Sequence, residues 1–195
     1  MLKLQISHKL FTSSICVECS QKQESCCADP KAPLTINDIN QIIALGYKLE
    51  DFAEPDEYTE EEIKDEEEWW KNSTVKVKDK RYRLTLKCKK NNECVFLEKG
   101  KGCKLGDQRG AFCKIFPFWI DEKTDKLIYA DPQKICYSVR LGGTIKEGLI
   151  RIQENEESVR KLYLRIKKDC LENVEKHRKI IEKMLLKNKK LIKII

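Results

Sequence analysis

At 195 residues the chain can bury a core of its own, so its ten cysteines are not needed as covalent staples. No apolar run approaches the roughly 18–20 residues of a membrane span. The net charge of +7 is uneven: residues 50–70 are strongly acidic with Lys64 as their one cation, whereas residues 151–195 carry 14 Lys/Arg against 7 Asp/Glu.

Such a tail attracts nucleic acid or an acidic partner. The favoured expectation is plainer, the solvated face of a lysine-rich helix. "MLKLQISHKLFTSSIC" breaks its apolar positions with Lys3, Gln5, His8 and Lys9, unlike a secretory leader. The expected compartment is the cytoplasm, where clustered cysteines hold metals more often than disulfides. A composition rich in Lys, Glu and Ile leans towards a thermophile. Intracellular proteins of hyperthermophiles are the exception to reduced thiols, so disulfides stay open as an alternative.

In chain order, the cysteine-rich stretch "ICVECSQKQESCCADP" reads as a loop feeding a helix. Thr35 and Asp38 form a capping-box pattern, Ile36, Ile39, Ile42 and Ile43 follow at helical spacing, and Gly46 marks the stop. "TEEE" from Thr59 starts a second short helix ended by Trp69 and Trp70, a pair expected to pack in the core. Val75, Val77, Tyr82, Leu84 and Leu86 alternate with polar residues and predict a hairpin turning near Lys78 to Lys80. "CVFL" from Cys94 and "KLIYA" from Lys126 predict further short strands. From Lys146 the pattern is helical, as two helices or one bent one, with Val159, Leu162, Ile166, Ile180, Ile181, Met184 and Leu185 as its apolar stripe. The expected fold is therefore α+β: small antiparallel hairpins and cysteine-rich loops packed with helices. A cysteine-cluster domain over residues 1–145 is expected to precede a basic helical extension over 146–195.

The thiols fall into Cys16-x2-Cys19-x6-Cys26-Cys27, then Cys88, Cys94, Cys103 and Cys113, then Cys136 and Cys170. A C-x2-C turn lets two thiolates converge on one ion. Four or more thiolates around a centre suit zinc or iron–sulfur, which prefer soft ligands. Cys26 and Cys27 are harder to place, because adjacent side chains diverge from the backbone. Either one is a ligand and the other packs, or the two face different centres. Cys88 and Cys170 are expected to be small buried hydrophobes. His177 is expected to be exposed on the terminal helix, and His8 to lie at the surface.

Cys16, Cys19, Cys26 and Cys27 followed by "LTINDI", then "CVFLEKGKGC", Arg109 and "CKIFPF", then Cys136 and "LGG", occur in a characteristic order. That order resembles the CxxCxxCC, or YkgJ-like, zinc- or iron-chelating cysteine-cluster family, which has flagellin lysine N-methylases among its relatives. The resemblance spans about residues 14–145. The chain departs from the family pattern in a six-residue gap between Cys19 and Cys26, in Lys114 where arginine is usual, and in Gly110 after Arg109. Lysine keeps the charge there but loses the bidentate fork.

The resemblance implies a metal centre held by Cys16, Cys19, Cys26, Cys27, Cys94, Cys103, Cys113 and Cys136. Iron–sulfur is favoured over zinc, because the thiols outnumber the four that a structural zinc needs. It also implies methyl transfer from S-adenosylmethionine to a lysine of a protein substrate. The alternative is a zinc-stabilised, non-enzymatic adaptor or carrier whose basic tail docks a partner. The residues exclude several other chemistries. There is no G-x-G-x-x-G loop for a Rossmann site, no C-x3-C-x2-C triplet and no H-E-x-x-H pair, and the βαβ context of a thioredoxin is missing.

Overall fold

A computed structural model describes residues 14–22, 26–28, 31–64, 66–130 and 135–192. The N-terminal segment with His8, and Lys193 of the basic tail, lie outside them. Helix α1 (Ser14–Cys19) carries the C-x2-C pair, so this part of the first cysteine stretch is helical rather than loop. Helix α2 (Ile36–Ala44) starts with the expected capping box, in which Thr35 and Asp38 satisfy each other's backbone N–H groups. It buries Ile36, Ile39 and Ile42, while Ile43 stays exposed, and it ends at Leu45 before Gly46 at φ +95°.

Helix α3 (Leu49–Phe52) runs directly into strand β1 (Ala53–Tyr58), which the sequence did not announce. A stretch reading AEPDEY has acids and a proline where a strand pattern would show alternating apolar residues. Helices α4 (Glu60–Ile63) and α5 (Glu68–Asn72) follow as separate short elements. The first has its capping box at Thr59 and Glu62, and the tryptophans belong to the second. Strands β2 (Val75–Val77) and β3 (Lys80–Leu86) form the expected hairpin, turning at Lys78 with φ +59°.

The antiparallel sheet order β1–β3–β2 explains the acidic strand. At the edge a proline costs no ladder hydrogen bond needed by a second neighbour. Opposite lies the basic run of β3: Lys80 Nζ donates to Glu57 of β1 at 2.6 Å, while Arg81 Nε donates at 2.8 Å to Glu60, just past the strand in α4. Antiparallel pairing with β3, helped by the Lys80–Glu57 pair and not by an apolar pattern of its own, puts AEPDEY in a sheet.

The remaining strands are short: β4 (Leu97–Glu98) with β5 (Gly102–Cys103), and β6 (Phe118–Asp121) with β7 (Lys126–Tyr129). Between the pairs lie a 3₁₀ turn (Gly106–Gln108) and helix α6 (Ala111–Ile115). The strand expected from Cys94 begins only at Leu97, and Cys94 itself makes a single bridge to Cys88. The C-terminal part contains α7 (Tyr137–Arg140), α8 (Ile145–Arg151), α9 (Glu156–Glu172) and α10 (Val174–Ile192). The run expected as two helices is thus three, because Gln153 at φ +61° and the Asn155 cap restart it before α9. The fold class is the expected α+β.

Two hydrophobic clusters form the interior. The first joins α2, the three-stranded sheet and residues 94–97, and α10 closes it with Ile181. The second joins Ile15, Trp69, Phe112, Phe118, Leu149, Val159 and Ile166, with α9 as its backbone. His177 is a correction: it is 7% exposed, because it sits on the face of α10 that meets the sheet. Near it, the buried Arg83 guanidinium lies 3.5 Å from the centroid of the Trp70 ring and donates to the Trp70 carbonyl at 3.1 Å.

Candidate metal centre

The cysteines reach a common place by short-range constraints on several elements. One turn of α1 separates Cys16 from Cys19. The Cys94 N–H donates to the Cys27 carbonyl at 2.7 Å, which ties the first cysteine segment to the second. Pairing of β4 with β5 sets Cys103 opposite Leu97, and Gly102 at φ +87° allows the turn that leads into it. Cys113 sits on α6, whose other residues Ala111, Phe112 and Ile115 are buried in the second cluster.

Asp38 holds α6 in place. Its carboxylate accepts the Thr35 N–H within the capping box and the Ala111 N–H at the start of α6, each at 3.0 Å. It thereby caps two helices at once, a role that no spacing in the sequence signals because Ala111 lies 73 residues away. In turn, Asp169 of α9 accepts the Ile36 and Asn37 N–H groups at 3.0 and 3.2 Å. Burial raises the pKa of Asp38 above the ordinary carboxyl range, against the lowering effect of its Thr35 and Ala111 donors.

The result is a cavity of about 300 Å³ walled by Cys16, Cys19, Cys26, Cys27, Cys94, Cys103 and Cys113. Cys136, the N-cap residue of α7, is not in that wall but acts electrostatically on the same group, with Cys19 and Cys16 as its thiol neighbours. All ten cysteines are present as thiols. Cys170 is buried elsewhere, beside Arg83. Cys88 is half-buried, and its backbone pairs with that of Cys94 in an isolated antiparallel β-bridge. Among the described residues, no three His, Cys, Asp or Glu side chains stand already arranged to hold a metal ion. The thiols share a cavity without being focused on one point.

The electrostatics follow from burial. Loss of hydration pushes Cys94 up to about 12 and Cys103 and Cys136 to about 11, and raises Cys19 and Cys113 as well. Cys27 goes the other way, because it accepts the Cys26 S–H hydrogen bond and faces Arg109. Cys26, which donates that bond, is driven well above the ordinary thiol range chiefly by the bond, although the residue itself is exposed. Lys114 is lowered by burial and by Arg109 and Arg165 nearby. A dense set of dehydrated thiols is a soft donor set, and a thiophilic cation entering it would displace their protons. The donor chemistry therefore fits zinc or an iron–sulfur cluster.

The rest of the cavity wall is apolar: Phe112, Phe116, Phe118 and Trp119 face the thiols, and Lys31 and Arg109 supply its charged groups. Trp119 stacks between Trp69 and Phe112, with ring centroids about 6 Å from each. Arg109 and "CKIFPF" stood out in the sequence, but nothing there marked Trp119 as part of the wall.

A mixed α+β fold with a thiol-walled cavity defines a cysteine-cluster protein. The model of the CxxCxxCC family, described as a putative zinc- or iron-chelating domain, matches residues 15–137, and the chain belongs to that family. No curated protein and no solved structure matches the chain.

Proposed function

We propose that the chain is a metal-chelating domain in which Cys16, Cys19, Cys26, Cys27, Cys94, Cys103, Cys113 and Cys136 serve as ligands to iron–sulfur in preference to zinc. The observation that carries this reading is the cavity in which seven of these thiols meet. Eight thiols exceed the four that one structural zinc or one cubane cluster takes, so their number leaves room for more than a single structural zinc. Zinc would supply structural cross-linking, and a cluster would supply one-electron chemistry. Thiols kept as ligands suit a reducing compartment, so we place the protein in the cytoplasm. The helices from residue 146 onward serve this centre as scaffold.

Metal and acid-labile sulfide analysis with an optical spectrum, on protein purified without oxygen, tests the reading. Iron and sulfide in equal amounts with a broad visible absorption are expected. Zinc with a featureless visible spectrum would overturn the iron–sulfur assignment, and neither metal would overturn chelation.

A second reading is methyl transfer from S-adenosylmethionine to a lysine of a protein substrate. The observation that favours it is the aromatic part of the cavity wall, Phe112, Phe116, Phe118 and Trp119, since ligand pockets are lined mainly by such side chains. S-adenosylmethionine at a hundred times its Kd should add about 2.7 kcal/mol of stability to the metal-loaded protein. No shift in melting temperature would leave a non-enzymatic module.

A further inference from the structure

The Cys26–Cys27 dipeptide lies where two groups of thiols meet. Cys27, Cys94, Cys103 and Cys113 all pack with the first hydrophobic cluster, the one built on α2 and the three-stranded sheet. Backbone bonds join them: Cys94 to Cys27 directly, and the Cys103 strand to the strand that follows Cys94. Cys94, Cys103 and Cys113 each feel Cys27 as their first thiol neighbour.

The other thiols lean the other way. Cys16 packs with the second cluster, as does Tyr137, the residue after Cys136. Helix α1 lies between α7 and the Cys103 strand β5, and on the α7 side the Tyr137 backbone bonds the Cys19 thiol. Cys136 has Cys19 and Cys16 as its neighbours, and Cys26 reaches this side through Cys136. Cys19 and Cys26 also feel Cys27 and Cys113 across the boundary, so the two groups stand edge to edge. Each group has its own guanidinium: Arg109 beside Cys27 and Cys103, and Arg140 beside Cys19.

We infer that the chain holds two metal centres, one bound by Cys27, Cys94, Cys103 and Cys113 and the other by Cys16, Cys19, Cys26 and Cys136, with the Cys26–Cys27 peptide joining them. The inference rests on the metal-chelating reading and adds the number of centres and the ligands of each. Four thiolates complete either a tetrahedral zinc site or a cubane cluster. The Cys26 and Cys27 thiols touch through their own hydrogen bond, which puts them at the shared edge of two neighbouring centres. Four thiolates around a divalent ion leave a surplus of negative charge, which the arginine beside each group offsets in part.

Cobalt(II) titration of the demetallated full-length chain under reducing conditions tests this, read by the thiolate-to-cobalt charge-transfer band. The unsubstituted chain should saturate at two equivalents. The double variants Cys94→Ser/Cys113→Ser and Cys16→Ser/Cys136→Ser should each saturate at one, keeping about half of the band. Saturation of the unsubstituted chain at one equivalent would overturn the inference and leave chelation standing. So would loss of all binding in either variant with its circular dichroism intact. If a variant does not fold, the unsubstituted breakpoint alone decides. No band in the unsubstituted chain would overturn chelation itself and this inference with it.

Discussion

Two buried regions of this molecule treat sulfur in opposite ways. Around the cavity, thiols crowd together from four parts of the chain, with Arg109 as the guanidinium in the wall. Around Cys170, by contrast, a cation is already inside. Arg83 is 5% exposed, stacks on Trp70 and faces the Cys170 thiol. A buried guanidinium needs partners wherever it can find them, and a single thiol between helix and sheet supplies one. A dense group of thiols without an enclosed cation has spare donors, and a metal is the species that uses them. Neither a cysteine's burial nor its raised pKa separates the two cases: Cys170 and Cys103 are both pushed up to about 11. The company each thiol keeps does.

The sharpest way to break this contrast is chelation. Metal removal should act on the cavity side alone and lower Tm by roughly 10 °C or more, because metal-binding free energy is folding free energy in such sites. At this chain length each kcal/mol is worth about 2–4 °C. Calorimetry before and after stripping reads the effect, and an unchanged Tm would make the metal irrelevant to the fold.

The Arg83 side has a pH signature of its own. Burial and the nearby Arg83 charge depress His177 to about 4. The unfolded chain takes up that proton near pH 6.5, while the folded one resists it until about pH 4. Stability from this residue is therefore intact above pH 6.5, falls as pH drops through that window, and stops falling below about 4. The loss is on the order of 3 kcal/mol. His177→Gln should flatten this part of the profile, measured by denaturant unfolding of both proteins between pH 7 and 4. Parallel profiles would show that the histidine is not buried neutral.

The smallest effect is expected at Cys170. Cys170→Ala should cost about 1–2 kcal/mol through lost packing and a lost partner for Arg83, with metal content unchanged. Loss of metal in this variant would erase the distinction between the two regions.

Capping boxes were readable because they are local. Thr35 with Asp38, and Thr59 with Glu62, satisfy backbone groups within one turn. The β2–β3 hairpin was readable for the same reason, since period-two alternation and its turn lie in one stretch. Strand β1 was not, because the strand it pairs with, β3, and its ion-pair partner Lys80 lie more than 20 residues away. His177 was misread because the terminal helix has a polar composition, and only its docking onto the sheet shows which face is buried.

The site divides in the same manner. The sequence by itself determined which residue types are present, the order of the cysteine clusters and hence the family, because thiol spacing and the neighbouring turns are written in consecutive residues. It left open whether Cys26 and Cys27 act together. Only the tertiary structure decided that Cys27 keeps company with Cys94, Cys103 and Cys113, that Cys136 stands by Cys16 and Cys19, and that Asp38 anchors the Cys113 helix. Those relations depend on two hydrophobic clusters meeting at one cavity, and burial of that kind is a property of packed surfaces that no single segment contains.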